Sequence, residues 1–118
     1  MAPGIKVLMP EPGYFRTQVF PNIHHVPPRV EAYAQFNASV RAFEAGVVGN
    51  EPGDPVEAVR LMIELVKGTG IAEGKTVPLR MPIGSDAFAP IKGKCEETLE
   101  IIQQWEGIGK ISDFPTTN

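Results

Sequence analysis

Two short apolar segments, separated by helical patterns, constrain the fold of this chain most. Residues 5–9 (IKVLM) are rich in branched and long apolar side chains, which predicts a short buried strand. Residues 77–83 (VPLRMPI) alternate apolar residues with Pro78, Arg80 and Pro82, which predicts an edge strand because proline cannot donate to a ladder. Strands joined through helices pair in parallel, so the order predicts an α/β fold. Two strands do not make a stable parallel sheet, so the pattern is typical of one end of a larger sheet.

The first helical pattern follows a proline-rich loop, residues 10–28. It repeats an apolar residue every three or four positions and is predicted to end at Gly46 and Gly49. Its apolar stripe consists of Val30, Tyr33, Phe36, Val40, Phe43 and Val47.

The second helical pattern has clear boundaries. Asp54 is the predicted N-cap, Pro55 suits the first helical position, and Glu57 completes a capping box, while Lys67 and Gly68 mark the end. The predicted buried face consists of Val56, Val59, Met62, Ile63 and Val66. A third helix is predicted with Pro90 in its first turn or at its start. Its apolar face consists of Ile91, Cys95, Leu99, Ile102 and Trp105.

Composition narrows the function classes. The 118 residues are 42% apolar and 21% charged with a net charge of −3, and no basic block is present, which argues against a nucleic-acid partner. The single cysteine, Cys95, excludes an internal disulfide framework and is predicted to be a small core residue. No signal peptide and no apolar stretch near the ~20 residues of a bilayer span is visible, so we predict a cytoplasmic protein without a membrane partner.

Two motifs that suggest chemistry have simpler explanations. GTGIAEGKT, residues 68–76, lacks the phosphate-loop pattern because Thr69 stands where glycine is required and a helix precedes it where a strand is required. It is predicted to be a helix-to-strand connection. His24 and His25 are predicted to be a solvated loop pair and no metal site is expected, because adjacent side chains point apart and no third ligand has a clear spacing.

The segment EPGYFRT, residues 11–17, is a stronger candidate. It lies beyond the carboxyl end of a predicted parallel strand, where ligands bind in open α/β sheets. Gly13 would allow a ligand to approach the backbone, and the following amides, aromatic ring and Thr17 hydroxyl suit a planar, amide-bearing ring. A simple strand-ending turn explains the same residues equally well.

At these residues the chain resembles the short-chain dehydrogenase/reductase family. GIKVLMPEPGYFRT resembles the late strand and Pro-Gly loop of that family, and EPGDPVEAVRLMIELV is similar to the start of the helix after its substrate lid. VPLRMPIGSDA resembles its final edge strand and turn, and KCEETLEIIQQW followed by SDF resembles the C-terminal ending of one large subgroup. The resemblance covers nearly all of the chain. It implies the C-terminal part of a Rossmann-like doubly wound parallel sheet, with two strands and about three helices, incomplete on its own.

The resemblance also implies a division of the chain and a cofactor. Residues 1–118 would form a single partial domain, with the strand and Pro-Gly loop in 1–17, a lid-like loop and helix in 18–50, and the helix, edge strand and C-terminal helix in 51–118. The Pro-Gly loop would lie against the nicotinamide end of NAD or NADP. Its matching residues are Pro12, Gly13, Tyr14, Phe15 and Thr17. Phe15 matches the position whose backbone holds the carboxamide.

The lid implied by the resemblance would cover a small alcohol or carbonyl substrate. Its candidate residues are Phe20, Tyr33, Phe36 and Phe43. For the last three, packing of the helical stripe on the core is the favoured alternative.

The departures from the family bear on activity. The chain has nothing similar to the family's glycine-rich pyrophosphate loop, and no Tyr-x-x-x-Lys, since Tyr14 is followed four residues later by Gln18 and Tyr33 by Asn37. We therefore expect no catalytic residue, no oxidoreductase activity and weak or absent NAD(P) binding for this chain alone. The alternative is a non-catalytic module that pairs with a partner chain, or with itself, through an unpaired strand edge.

Overall fold

The computed structural model describes residues 4–116 and has an α/β fold. By its internal contacts the chain divides into two units, Met1–Ala87 and Phe88–Asn118. The first unit contains β1 (Met9–Pro12), α1 (Ala34–Val47), α2 (Pro55–Lys67) and β2 (Arg80–Ile83). The second contains α3 (Phe88–Gly109). Short 3-10 turns lie at Glu31–Tyr33, Gly70–Ala72 and Lys110–Ser112. The prediction of two strands and three helices is confirmed for the described residues.

The two strands pair in parallel, as predicted, but β1 begins later than expected and β2 is shorter than expected. β1 begins at Met9, so residues 5–8 precede the strand, and Ile5 and Val7 are exposed rather than buried. β2 comprises only the last four residues of the predicted segment 77–83. Met9 lies opposite Arg80, and Pro12 lies opposite Ile83. The apolar run therefore indicated an element at this point of the chain, whereas the partner strand decided where the ladder begins.

Prolines are compatible with this ladder because of its register. The Met9 N–H donates to the Leu79 carbonyl at 2.7 Å and the Gly13 N–H to the Ile83 carbonyl at 2.8 Å. Successive N–H groups of a strand point to opposite sides, so the odd-numbered residues of β1 donate to β2. Pro10 and Pro12 face the other side, where their missing N–H groups cost the ladder nothing.

The boundaries of α2 are confirmed. The Asp54 carboxylate accepts a hydrogen bond from the Val56 N–H at 2.8 Å, and Gly68 ends the helix with φ of +67°. The predicted capping box is wrong, because the Glu57 carboxylate pairs with Arg60 on the exposed side of the helix. α1 starts at Ala34, after the 3-10 turn, and therefore later than the sequence predicted.

Few side chains are buried within the described residues. The buried apolar residues are Ala58, Ala72, Ile83 and Ala87. The predicted buried face of α2 is wrong, since Val56, Val59, Ile63 and Val66 are exposed. Along α1 the stripe is exposed as well, apart from Val47, which is half-buried. A two-stranded sheet offers too little surface to cover these faces.

The helix of the second unit is long, and several of its large apolar side chains are exposed. Pro90 is the third residue of α3, as predicted for a proline in the first turn. Cys95, predicted to be a core residue, is exposed. Leu99, Ile102 and Trp105 are exposed too. None of the helices within residues 4–116 is long and apolar enough to cross a membrane.

Candidate functional site

The Pro-Gly turn is anchored by hydrogen bonds to the last residue of β2 and to the segment that follows β2. Gly13 donates its N–H to the Ile83 carbonyl, and Tyr14 donates its N–H to the Asp86 carboxylate at 2.8 Å. A β-carbon at Gly13 would lie 2.0 Å from the Asp86 Oδ1 atom, so only glycine fits beneath this carboxylate. Asp86 is a site residue that lies in the stretch VPLRMPIGSDA, whose end was predicted only to be a turn. Its position just after the second parallel strand was the available signal.

Phe15 forms an isolated parallel bridge with Gly53. The Arg16 N–H donates to the Gly53 carbonyl at 2.9 Å, and the Gly53 N–H donates to the Tyr14 carbonyl at 3.0 Å. In an extended chain the N–H and C=O of one residue point to the same side and alternate along the chain. The N–H and C=O of Phe15 therefore face away from Gly53, and they form no hydrogen bond with the rest of the described chain.

The Phe15 ring fixes this arrangement from the other direction. A β-carbon at Gly53 would lie 2.4 Å from the Phe15 Cδ1 atom, and one at Gly84 would lie 3.2 Å from Cε2. The ring is thus seated on two glycines from different loops. This packing holds the Phe15 backbone in place while leaving its donor and acceptor outward, which suits recognition of a group that itself carries one donor and one acceptor.

Arg16 and Glu51 form an ion pair beside the bridge. The Arg16 Nε atom lies 3.8 Å from Glu51 Oε2, and the Arg16 guanidinium donates to the Glu51 carbonyl at 3.3 Å. The Glu51 side chain is only 1% exposed, whereas that of Arg16 is 63% exposed. Glu51 Oε2 and Asp86 Oδ1 are buried oxygens without a hydrogen-bond partner among the described residues. Glu51 could not be identified from the sequence, because nothing in the spacing indicated that this loop glutamate is buried.

Two of the four candidate lid residues lie against the turn. The Tyr14 ring contacts the Phe20 ring at a centroid distance of 5.7 Å and the Phe43 ring at 6.0 Å. Tyr33 and Phe36 are exposed and make no such ring contact. The packing of Tyr33, Phe36 and Phe43 into a core, the favoured alternative, is wrong for this chain, since all three are more than half exposed.

Thr17 follows the bridge and keeps a donor available. Its Oγ1 atom accepts a hydrogen bond from the Val19 N–H at 3.3 Å, so the hydroxyl proton can be donated elsewhere. Together the residues of the turn offer backbone groups, a hydroxyl and aromatic rings. This set can bind and orient a planar polar ring, but it holds no pair of side chains suited to proton transfer.

The glycine-rich stretch 68–76 and the histidine pair lie outside the Pro-Gly turn. Residues 68–76 connect α2 to the segment before β2 through the 3-10 turn, as predicted. His25 is not merely solvated, because its Nε2 atom lies 3.2 Å from Glu44 Oε2. Within residues 4–116, no group of three or more histidine, cysteine or acidic side chains is placed to hold a metal ion.

Comparisons with protein-family models, with curated proteins and with solved structures found no match for this chain. A function for this chain is therefore inferred from the geometry of the turn and from the resemblance of its motifs to those of a known family.

Proposed function

We propose that this chain is the C-terminal segment of an NAD(P)-dependent short-chain dehydrogenase/reductase, a cytoplasmic oxidoreductase acting on alcohol or carbonyl substrates. In this proposal residues 12–17 lie against the nicotinamide end of the cofactor. The observation that carries it is the outward pair of backbone groups on Phe15. A nicotinamide carboxamide has one carbonyl acceptor and an NH2 donor, so it can accept from the Phe15 N–H and donate to the Phe15 carbonyl.

The location of the turn supports the same proposal. Pro12 and Gly13 lie at the carboxyl end of β1, where the crevice of an open parallel sheet receives its ligands. Gly13 brings the backbone close to that crevice, and the Thr17 hydroxyl can donate to the ligand. Phe20 and Phe43, which contact Tyr14, would form the near wall of the lid.

The chain supplies binding groups and no proton carrier. Hydride transfer in this family needs a tyrosine and a lysine four residues apart, and neither Tyr14 nor Tyr33 has that lysine. A pyrophosphate loop of the family's type is also missing from the sequence. The chain alone is therefore expected to have no oxidoreductase activity and at most weak affinity for NAD(P).

A titration with cofactor fragments tests this proposal. Nicotinamide at tens of millimolar should shift the amide resonances of Phe15 and Thr17, whereas nicotinate, which lacks the NH2 donor, and adenosine diphosphate should not. Absence of any shift at Phe15 would contradict the nicotinamide site. Calorimetry with NAD and NADP is the second measurement. Micromolar affinity for either cofactor would contradict the expectation that binding is weak without a pyrophosphate loop.

A second candidate, a non-catalytic module that docks on a partner chain, is favoured by the exposed apolar faces of α1 and α2. Docking by strand addition to β1 is disfavoured, because Pro10 and Pro12 remove donors from its unpaired edge. Light scattering together with the nicotinamide titration separates the two candidates. A stable monomer that binds nicotinamide supports the first, and a stoichiometric oligomer that does not bind it supports the second.

A further inference from the structure

A cavity lies between the loop of residues 24–29 and α1. Two contacts fasten the loop to the helix: the Arg41 guanidinium donates to the Val26 carbonyl at 3.2 Å, and His25 Nε2 lies 3.2 Å from Glu44 Oε2. The space between loop and helix has a volume of about 410 Å³ and is open to solvent on one side. This volume lies within the range of ~300–1,000 Å³ found for small-molecule sites. None of its lining residues belongs to the Pro-Gly turn.

The charges around this cavity are predominantly positive. Arg29 and Arg41 line it together with His24, His25 and a single carboxylate, that of Glu44. The two guanidinium groups outnumber the carboxylate without any contribution from the histidines. Arg29 forms no ion pair or hydrogen bond with the rest of residues 4–116, so its planar fork of donors is available. Such forks bind carboxylates and phosphates through two parallel hydrogen bonds.

The remaining walls of the cavity are largely apolar. Val26, Pro27, Pro28 and Val40 line it beside the cationic groups. A ligand that satisfies both parts carries an anionic head for the arginines and a small carbon body for these walls. We propose that the cavity binds a small organic anion with a carboxylate or phosphate head. The inference depends on no residue of the proposed nicotinamide site.

Binding of two model anions to the full chain tests this site. Phenylacetate and phenyl phosphate carry the two kinds of head on the same ring, and benzyl alcohol is the neutral control. We expect saturable shifts of the His24 and His25 ring resonances with at least one anion and none with benzyl alcohol. The tighter of the two anions identifies the head that the site prefers.

Three variants separate a built site from general charge attraction. Arg29→Gln should weaken binding by ~10-fold or more, since a charge-assisted contact is lost while no contact of the fold is removed. Arg60→Gln, on the exposed side of α2, removes the same charge elsewhere and should leave the affinity unchanged. Glu44→Gln should tighten binding several-fold, because it removes the one carboxylate that opposes the anion. Equal affinities for Arg29→Gln and Arg60→Gln, unaltered affinity in Glu44→Gln, or no saturable binding of either anion would overturn the proposal.

Discussion

At Gly13 the structure leaves no space for a side chain. A β-carbon there would lie 2.0 Å from Asp86 Oδ1 and 2.6 Å from Asp86 Cγ. The carboxylate cannot retreat without losing the Tyr14 N–H, which it accepts at 2.8 Å. Gly13→Ala should therefore break this hydrogen bond and raise the rate of hydrogen exchange at the Tyr14 amide by ~10-fold or more, as expected for loss of a bond to a charged group.

The chain offers a matched control for this substitution. Gly107, in α3, has no atom within 4 Å of its added β-carbon, so Gly107→Ala should leave the Tyr14 amide unchanged. Asp86→Ala should itself raise the exchange rate, and Gly13→Ala should add little in that background. Independent, additive effects of the two substitutions would show that the close approach of Gly13 and Asp86 does not hold the turn.

The buried carboxylate of Glu51 makes a second prediction at the scale of a residue. Its Oε2 atom has no hydrogen-bond partner among residues 4–116, and the Arg16 Nε atom lies 3.8 Å from it. Arg16→Gln leaves a buried charge unpaired, so the Gly53 N–H, which bonds to Tyr14, should lose protection against exchange by ~10-fold. Glu51→Gln in the same chain should restore much of that protection, because a buried amide costs less than a buried unpaired carboxylate. No recovery in the double variant would contradict this.

At the level of elements, Glu64 couples α2 to the 3-10 turn that follows it. Its pKa lies below the ordinary value of 4.5, first because the Ile71 N–H donates to the carboxylate and also because Arg60 pairs with it. A lowered pKa in the folded chain means that the stabilisation is complete above 4.5 and is lost as the pH falls through the lowered pKa. Protection of the Ile71 amide should thus decline below pH 4.5.

Substitution checks the origin of this pH dependence. Glu64→Gln should weaken the Ile71 contact at neutral pH and remove its dependence on acid. Glu100→Gln, on α3, removes a carboxylate that has no partner among residues 4–116, and it should leave the Ile71 amide as it is. A decline in protection that persists in Glu64→Gln would assign the effect to another group.

Both outer edges of the two-stranded sheet carry prolines. The register places Pro10 and Pro12 on the outer side of β1 and Pro82 on the outer side of β2, so none of these positions can donate to an added strand. Pro10→Val supplies one donor and a β-branched side chain at the β1 edge. We expect the average molar mass of this variant, measured by light scattering, to rise more steeply with protein concentration than that of the parent chain.

The control for the edge variant lies outside the sheet. Pro115 follows the last 3-10 turn and belongs to no strand, so Pro115→Val changes composition in the same way without altering an edge. Association equal to that of Pro10→Val would mean that added hydrophobicity, and not strand pairing, causes it.

For the molecule as a whole, the small size of the core is the feature that most affects stability. The buried apolar side chains among residues 4–116 are three alanines and Ile83, and no large side chain is fully buried. The slope of the unfolding free energy against denaturant concentration scales with the surface exposed on unfolding. In urea this slope should therefore fall below the ~1–3 kcal/mol/M of ordinary small proteins. The exposed apolar faces should also bind a hydrophobic dye such as ANS. A steep transition without dye binding would contradict this and would weigh against the proposal of a partial fold.

Local residue types determined much of what the structure contains. Asp54 and Gly68 define the ends of α2 because capping and a left-handed C-terminus are local properties. The alternation of helix patterns with two strand-like segments was sufficient for an α/β fold with parallel pairing. The Pro-Gly turn could be placed at a strand end for the same reason.

Tertiary structure decided what no local pattern contains. The register between β1 and β2 determined where each strand starts and placed the prolines on the outer edges of the sheet. Contacts between loops far apart in sequence brought Asp86 and Glu51 to the turn, since burial of a carboxylate depends on neighbours and not on spacing. An amphipathic pattern indicates that one face of a helix favours burial, but it does not indicate which surface packs against that face. The sequence alone therefore identified the apolar faces of α1 and α2, and only the folded chain revealed that they remain exposed.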